Sequence, residues 1–240
     1  MFADCLLAGL GIGFIFFMTC FGSAAVFVFP QSPKLQRGLM GFSAGLMSAA
    51  AVWSLLLPAI AQAEKDGDFP LWLPALVGLM SGAAFIACVE LRERESGTAM
   101  LFTAVTLHNI PEGMAVGLAF ALAGSGEGIY SALSLAFGIG VQNFPEGAAV
   151  SLPVYQAGGS RGGAFKNGFL SAVVEPLFAI LALFAAAKLY ALMPWLLSFS
   201  AGAMLYVSVR ELIPQAHGTA GCMGYISGFA LMMLLDTALG

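Results

Sequence analysis

Two six-residue stretches carry most of the chemistry available to this chain. They are His108-Asn109-Ile110-Pro111-Glu112-Gly113 and, thirty-four residues later, Gln142-Asn143-Phe144-Pro145-Glu146-Gly147. Each places amide or imidazole donors and one carboxylate inside an apolar run. A carboxylate in hydrocarbon is costly, so an ionisable residue there points to function. Residues three and four apart share a helix face; Glu112 therefore neighbours His108 and Asn109, and Glu146 neighbours Gln142 and Asn143. Consecutive membrane helices run antiparallel, which lets the two motifs meet near mid-membrane. One cation site would then draw on His108, Glu112, Gln142 and Glu146. A second would draw on Asn109, Glu112, Asn143 and Glu146, with both glutamates shared. The imidazole makes the first site slightly softer.

A third carboxylate, Glu175, follows in Ser171-Ala-Val-Val-Glu175-Pro176, while no Lys or Arg occurs between residues 98 and 160. Three acids without basic partners need protons, through raised pKa values, or cations. Protons alone would leave the His, Asn and Gln donors without a purpose, so metal is the better reading. For a lone polar residue the bland reading wins: Ser54 and Gln62 are expected to bond their own helix, and Asp4 and Asp236 to sit at the membrane interface. Met47 divides evenly between core packing and a thioether ligand.

The elements that must position these residues follow from composition. Of 240 residues, 60% are hydrophobic and 9% charged, which marks an integral membrane protein. At about 20 residues per helical crossing, the chain has room for roughly eight and little else. Apolar runs between breaks predict spans near 2–29, 36–62, 69–90, 98–123, 128–155, 163–187, 191–215 and 221–239, forming one transmembrane domain over 1–240. No separate signal peptide is expected. Pro111 and Pro145 should kink their helices and free the carbonyls of Leu107 and Val141, with Gly113 and Gly147 keeping the wall thin. Glycine pairs such as Gly9/Gly13, Gly41/Gly45 and Gly113/Gly117 should let helices approach closely. The four cysteines, Cys5, Cys20, Cys88 and Cys222, read as unbridged core residues. A net charge of −4 with nine basic residues argues against a nucleic-acid partner.

Alternate connections starting after the first span hold Lys34, Arg37, Arg92, Arg94, Arg161, Lys166 and Arg210, against Lys65 and Lys188 on the other side. Basic residues collect on the cytoplasmic side, which puts both termini outside a cell membrane. The acidic turn Glu64-Lys65-Asp66-Gly67-Asp68 and Glu127 then face outward.

These motifs, with Ser-x-x-x-Glu-Pro in span 6, Ala-Gly-Leu-Met and Ser54 to Pro58 in span 2, and Ala201-Gly-Ala-Met-Leu-Tyr206 with Glu211-Leu-Ile-Pro214 in span 7, resemble the ZIP family of divalent metal transporters. The likeness covers the whole chain and is greatest to short prokaryotic GufA-like members. It implies an all-α integral membrane protein of eight transmembrane helices in a 3+2+3 arrangement with inverted repeats. It also implies a binuclear site, with Met47, His108, Glu112, Gln142 and Glu146 on one ion and Asn109, Glu112, Asn143, Glu146 and Glu175 on the other. The cargo implied is zinc, with cadmium, iron or manganese as alternatives, moved into the cytoplasm by an elevator-type motion; no further cofactor is expected, and a homodimer fits the resemblance. Two departures stand out. Gln142 replaces a histidine common in relatives, giving a harder site, and Arg210 stands where some relatives have histidine. Arg210 and Glu211 point about 100° apart on a helix, so the arginine is expected to snorkel to headgroups and to leave Glu211, with His217, on the release path. The competing reading, an intramembrane metal-dependent enzyme, would need an open coordination position and a spare base as in HExxH, and no such motif occurs.

Overall fold

The computed structural model describes residues 2–28, 32–66, 69–92, 98–124, 128–156, 158–188 and 190–239, and it is helical throughout, with no strand among the described residues. In lipid every backbone donor and acceptor must be satisfied within the protein, and a helix does this within one segment. Among the described residues the helical segments join into the following lengths. They are α1, Phe2–Ala24; α2, 33–66, in which Pro33–Ala50 passes through a π-helical turn, Ala51–Leu56, into Leu57–Asp66; α3, Trp72–Arg92; and α4, Thr98–Ala123. Then come α5, Ile129–Gln156; α6, 161–188, made of Arg161–Ala172 and Val174–Lys188; α7, 193–215, running from Met193–Val207 through a π-helical turn, Ser208–Leu212, to Ile213–Gln215; and α8, Gly218–Leu239.

Local chemistry sets several of the ends. Ser32 caps α2 by accepting from the Leu35 amide, with Pro33 at the first helical position, and Ser160 caps α6 by accepting from Gly163. Gly128 and Gly218 turn the chain into α5 and α8 at φ of +86° and +80°, a conformation natural only to glycine.

Among the described residues six helices are long and apolar enough to cross a membrane: Cys5–Phe27, Lys34–Lys65, Trp72–Leu91, Arg161–Ala186, Met193–Gln215 and Gly218–Ala238. The two that carry the paired motifs are not among them. Described side chains in α4 begin at Asn109, leaving the shorter stretch Asn109–Ala123, and in α5 the polar residues Gln142, Asn143 and Glu146 dilute the hydropathy.

The tightest packing is between four pairs: α1 with α5, α4 with α6, α2 with α8 and α3 with α7. The last two pairs are built alike. Phe42-Ser-Ala-Gly-Leu-Met47 of α2 recurs as Phe199-Ser-Ala-Gly-Ala-Met204 of α7, and Ser81-Gly82 of α3 as Ser227-Gly228 of α8. A Cβ on Gly45 would strike the Tyr225 carbonyl and one on Gly202 the Leu79 carbonyl; likewise Gly228 abuts the Phe42 carbonyl and Gly82 the Phe199 carbonyl. Both recurring segments then run into a π-helical turn ahead of a proline, Pro58 or Pro214.

Helices α4 and α5 run on through Pro111 and Pro145, and α6 breaks at Val173, where the Pro176 ring would meet the Ala172 carbonyl. Two expectations change. Cys5, Cys88 and Cys222 are exposed on the outer surface rather than in the core, with Cys20 partly buried, although all four are unbridged as expected. Lipid solvates a thiol as readily as a protein core does, which leaves small apolar residues free to face outward. Finally, Gly41/Gly45 and Gly113/Gly117 do admit a neighbouring backbone, but a Cβ at Gly9 or Gly13 would meet nothing within 4 Å.

Candidate metal centre

Motif residues Asn109 and Glu112 on α4 and Gln142, Asn143 and Glu146 on α5 are all buried, as is Glu175 on α6. The two motifs meet directly: Gln142 Nε2 donates to Glu112 Oε1 at 2.5 Å. Asn109 Nδ2 donates to the Ser171 carbonyl at 2.8 Å, which ties α4 to α6 one turn before Glu175. Thr19 Oγ1 of α1 donates to Glu175 Oε1 at 2.5 Å. What these bonds leave over is informative. Glu112 Oε2, Gln142 Oε1, Asn143 Oδ1, both carboxylate oxygens of Glu146 and Glu175 Oε2 are buried without a hydrogen-bond partner. Asn143 faces Glu175 and Glu146 faces Glu112, but neither makes a well-formed bond. Buried polar groups are ordinarily paired, so these six unpaired oxygens, with the unpaired Asn143 Nδ2 beside them, form a desolvated and mainly acceptor cluster.

Glycine explains how four helices converge here. A Cβ on Gly113 would collide with the Glu175 carbonyl and one on Gly117 with that of Ala179, so α4 and α6 touch backbone to backbone beside the first motif. A Cβ on Gly147 would collide with the Thr19 carbonyl, and one on Gly22 with that of Phe144, so α1 and α5 do the same beside the second. The Pro-Glu-Gly glycines thereby bring Thr19 and Glu175 to the two glutamates. Hydroxyls from the other helices hold the motif backbones: Ser200 of α7 donates to the Pro111 carbonyl at 2.8 Å, and Ser43 of α2 to the Gln142 carbonyl at 3.1 Å. Met47 lies one turn beyond Ser43 on α2 and is wholly buried.

The His108 side chain lies outside the described residues, as do those of Arg94 and Glu127. Among the described residues no three His, Cys, Asp or Glu side chains form a metal-holding group; a site here depends on amide oxygens as well as carboxylates. Glu211 is half-buried and His217 exposed, both apart from this group near the junction of α7 and α8. Arg210 is paired with α3: its Nε donates to Glu90 Oε1 at 2.8 Å, and Tyr206 donates to the other Glu90 oxygen at 2.7 Å. Ser54 is a correction: it donates to both oxygens of Asp236 on α8, at 2.8 and 2.9 Å, rather than to its own helix, and it draws Asp236 into partial burial. A cavity of about 180 Å³ beside it is lined by Ser54, Gln62, Lys65, Leu122 and Ser131 among others.

Sequence reasoning missed Thr19, Ser43 and Ser200. The recurrence of Phe-Ser-Ala-Gly around the two serines was the available signal; Thr19 carried none.

Comparison with known proteins identifies the family. The profile of the family described as "ZIP Zinc transporter" matches residues 88–236. "Zinc transporter GufA" of Myxococcus xanthus is 36% identical, the match covering 98% of this chain and 97% of that protein. Human "Zinc transporter ZIP11" is 32% identical with 96% of each chain covered, and "Zinc transporter ZIPB" of Bordetella bronchiseptica is 34% identical over 87% of this chain and 73% of its own. The chain belongs to the ZIP zinc transporter family, as a GufA-like member.

Proposed function

We propose that this multi-pass membrane protein carries zinc, or a divalent cation of similar chemistry such as cadmium, iron or manganese, into the cytoplasm through a binuclear mid-membrane site. Its relatives are transporters by name, so no enzymatic activity is assigned. The observation that carries the reading is the set of six unpaired buried oxygens on Glu112, Gln142, Asn143, Glu146 and Glu175, the first four of these residues lying in a stretch, 98 to 160, without Lys or Arg. Oxygen donors of this kind, with one imidazole from His108, suit borderline and harder divalent ions. One ion would take Met47, His108, Glu112, Gln142 and Glu146, and the other Asn109, Glu112, Asn143, Glu146 and Glu175.

The 3+2+3 arrangement with inverted repeats draws support from the matched pairs. If α1–α3 and α6–α8 are inverted copies around α4 and α5, then α2–α8 should resemble α7–α3, and α1–α5 should resemble α6–α4. The repeated Phe-Ser-Ala-Gly and Ser-Gly contacts fit the first equivalence. The position of Thr19 against Gly147 and of Glu175 against Gly113 fits the second. An elevator-type motion suits the same grouping, in which α1, α4, α5 and α6 surround the carboxylates while α2, α3, α7 and α8 pack mainly on one another. Both termini are placed outside the cell membrane by the distribution of basic residues, and a homodimer is the assembly the family likeness suggests.

Zinc uptake into proteoliposomes tests the reading. Glu112→Ala and Glu146→Ala, each of which removes a ligand shared by both ions, are expected to abolish uptake although the protein still inserts. Glu175→Ala or Asn143→Ala should leave partial transport. Uptake by Glu112→Ala at the parental rate would remove the shared-ligand arrangement.

A further inference from the structure

A groove of about 550 Å³ runs along the outside of the bundle between α1, α5 and α8. Leu10 and Phe14 of α1, Tyr130, Ser134 and Phe137 of α5 and Leu235 of α8 line it. Two of these helices, α1 and α8, are long and apolar enough to cross a membrane, so the groove opens onto hydrocarbon. Among the described residues no charged side chain lines it, and Leu10, Phe137 and Tyr130 are 60%, 47% and 69% exposed.

One polar residue breaks the pattern. Ser134 is 2% exposed, and its Oγ has no hydrogen-bond partner. Serines in apolar helices are normally satisfied by a carbonyl one turn back. Ser48 closes on Ala44 at 2.7 Å, Ser198 on Pro194 at 2.8 Å and Ser81 on Gly78 at 2.8 Å. Ser134 makes no such bond, which leaves a donor in the groove where an unmade hydrogen bond is costly.

We propose that the groove is a binding site for one glycerophospholipid, whose acyl chain fills it and whose ester carbonyl accepts from the Ser134 hydroxyl. The chemistry selects an ester. A free fatty acid would bring a carboxylate with no cation to meet it, whereas an ester carbonyl is a neutral acceptor attached to an apolar chain. The depth agrees: Tyr130 precedes Ser134 by about one helical turn, about 6 Å along the axis, and an exposed tyrosine belongs at headgroup level, with ester carbonyls just below. The groove also separates the α1–α5 pair from α8, so a lodged chain braces the seam along which the two helix groups would slide. That consequence rests on the transport reading; the binding does not.

The test uses the full-length protein in vesicles of phosphatidylethanolamine and phosphatidylglycerol containing a phospholipid with a diazirine on its acyl chain. After irradiation, peptide mapping is expected to find label concentrated at Phe14, Ser134–Phe137 and Leu235, at least fivefold above the lipid-facing surface of α3 around Val77. Ser134→Leu, which fills the groove and removes the donor, should erase that excess, and Ser134→Ala, a smaller change that spares folding, should at least halve it. Labelling no denser than at Val77, or unchanged in Ser134→Ala, would overturn the site. So would efficient disulfide cross-linking between protomers through Phe137→Cys in a cysteine-free background, since a second copy would then cover the groove. Zinc uptake measured on the same vesicles separates the two ideas: label in the groove without uptake leaves the lipid site standing and sinks the transport reading.

Discussion

Glu175 illustrates what a single hydroxyl on a distant helix does for a carboxylate. Thr19 Oγ1 is 2.5 Å from Glu175 Oε1 and 3.2 Å from the Ile15 carbonyl, so its one proton goes to the shorter, charge-assisted bond. The other Glu175 oxygen is left buried and unpaired. Thr19→Val keeps the volume and β-branching but loses the donor. A hydrogen bond to a charged group contributes about 1.5–3 kcal/mol, and 1.4 kcal/mol corresponds to about tenfold in affinity. We therefore expect the KM for zinc uptake to rise about tenfold or more, with little change in thermal stability; an unaltered KM would mean that Glu175 needs no positioning. The carboxylates were legible in the sequence because charge without a partner in an apolar run is conspicuous. Thr19 was not, because one threonine in an apolar helix is ordinarily satisfied by its own backbone, and its long-range bond depends on which helices touch.

At the scale of the element, the chain contains 30 glycines, and spacing alone does not separate the ones that matter. Gly147 and Gly9 both sit in apolar helices at small-residue spacing, yet a Cβ on Gly147 would run into the Thr19 carbonyl and one on Gly9 would meet nothing within 4 Å. Backbone cannot yield as a flexible side chain can. Gly147→Ala should lower the melting temperature in detergent, by overpacking worth about 1–3 kcal/mol, and should remove transport with it. Gly9→Ala should leave both unchanged or raise stability slightly, since alanine is the better helix former by up to about 1 kcal/mol. Equal effects of the two would refute the backbone contact. The repeated Phe-Ser-Ala-Gly segments were legible in principle, but only to a comparison of the two ends of the chain with each other. The Arg210–Glu90 contact was not legible, because it joins the ends of α3 and α7, 120 residues apart. It makes a separate expectation: Arg210→Ala and Glu90→Ala should resemble each other and keep most transport, whereas Glu211→Ala should slow release while zinc binding at the central carboxylates survives. Loss of uptake in Arg210→Ala alone would assign the arginine a role of its own.

For the whole molecule, two groups of four helices meet mainly through the backs of α2 and α7, and the helices themselves carry no label for inside and outside. The recurrence of Phe-Ser-Ala-Gly in α2 and α7 and of Ser-Gly in α3 and α8 adds no such label. Only the asymmetry of charge decides, seven basic residues against two, and that rule concerns insertion rather than packing. Helix α2 offers a direct test because Lys34 and Lys65 lie exposed at its two ends, and a span of 32 residues is ample to separate them by a bilayer. The native thiols must first be removed, as Cys5, Cys88 and Cys222 are exposed and would report their own positions. In that background Lys65→Cys should react with a membrane-impermeant maleimide added to intact cells, while Lys34→Cys should react only after permeabilisation. The reverse pattern would put both termini in the cytoplasm. The cavity lined by Ser54, Gln62 and Lys65 would then face inward, and the proposed direction of metal movement would have to be rebuilt from the opposite side.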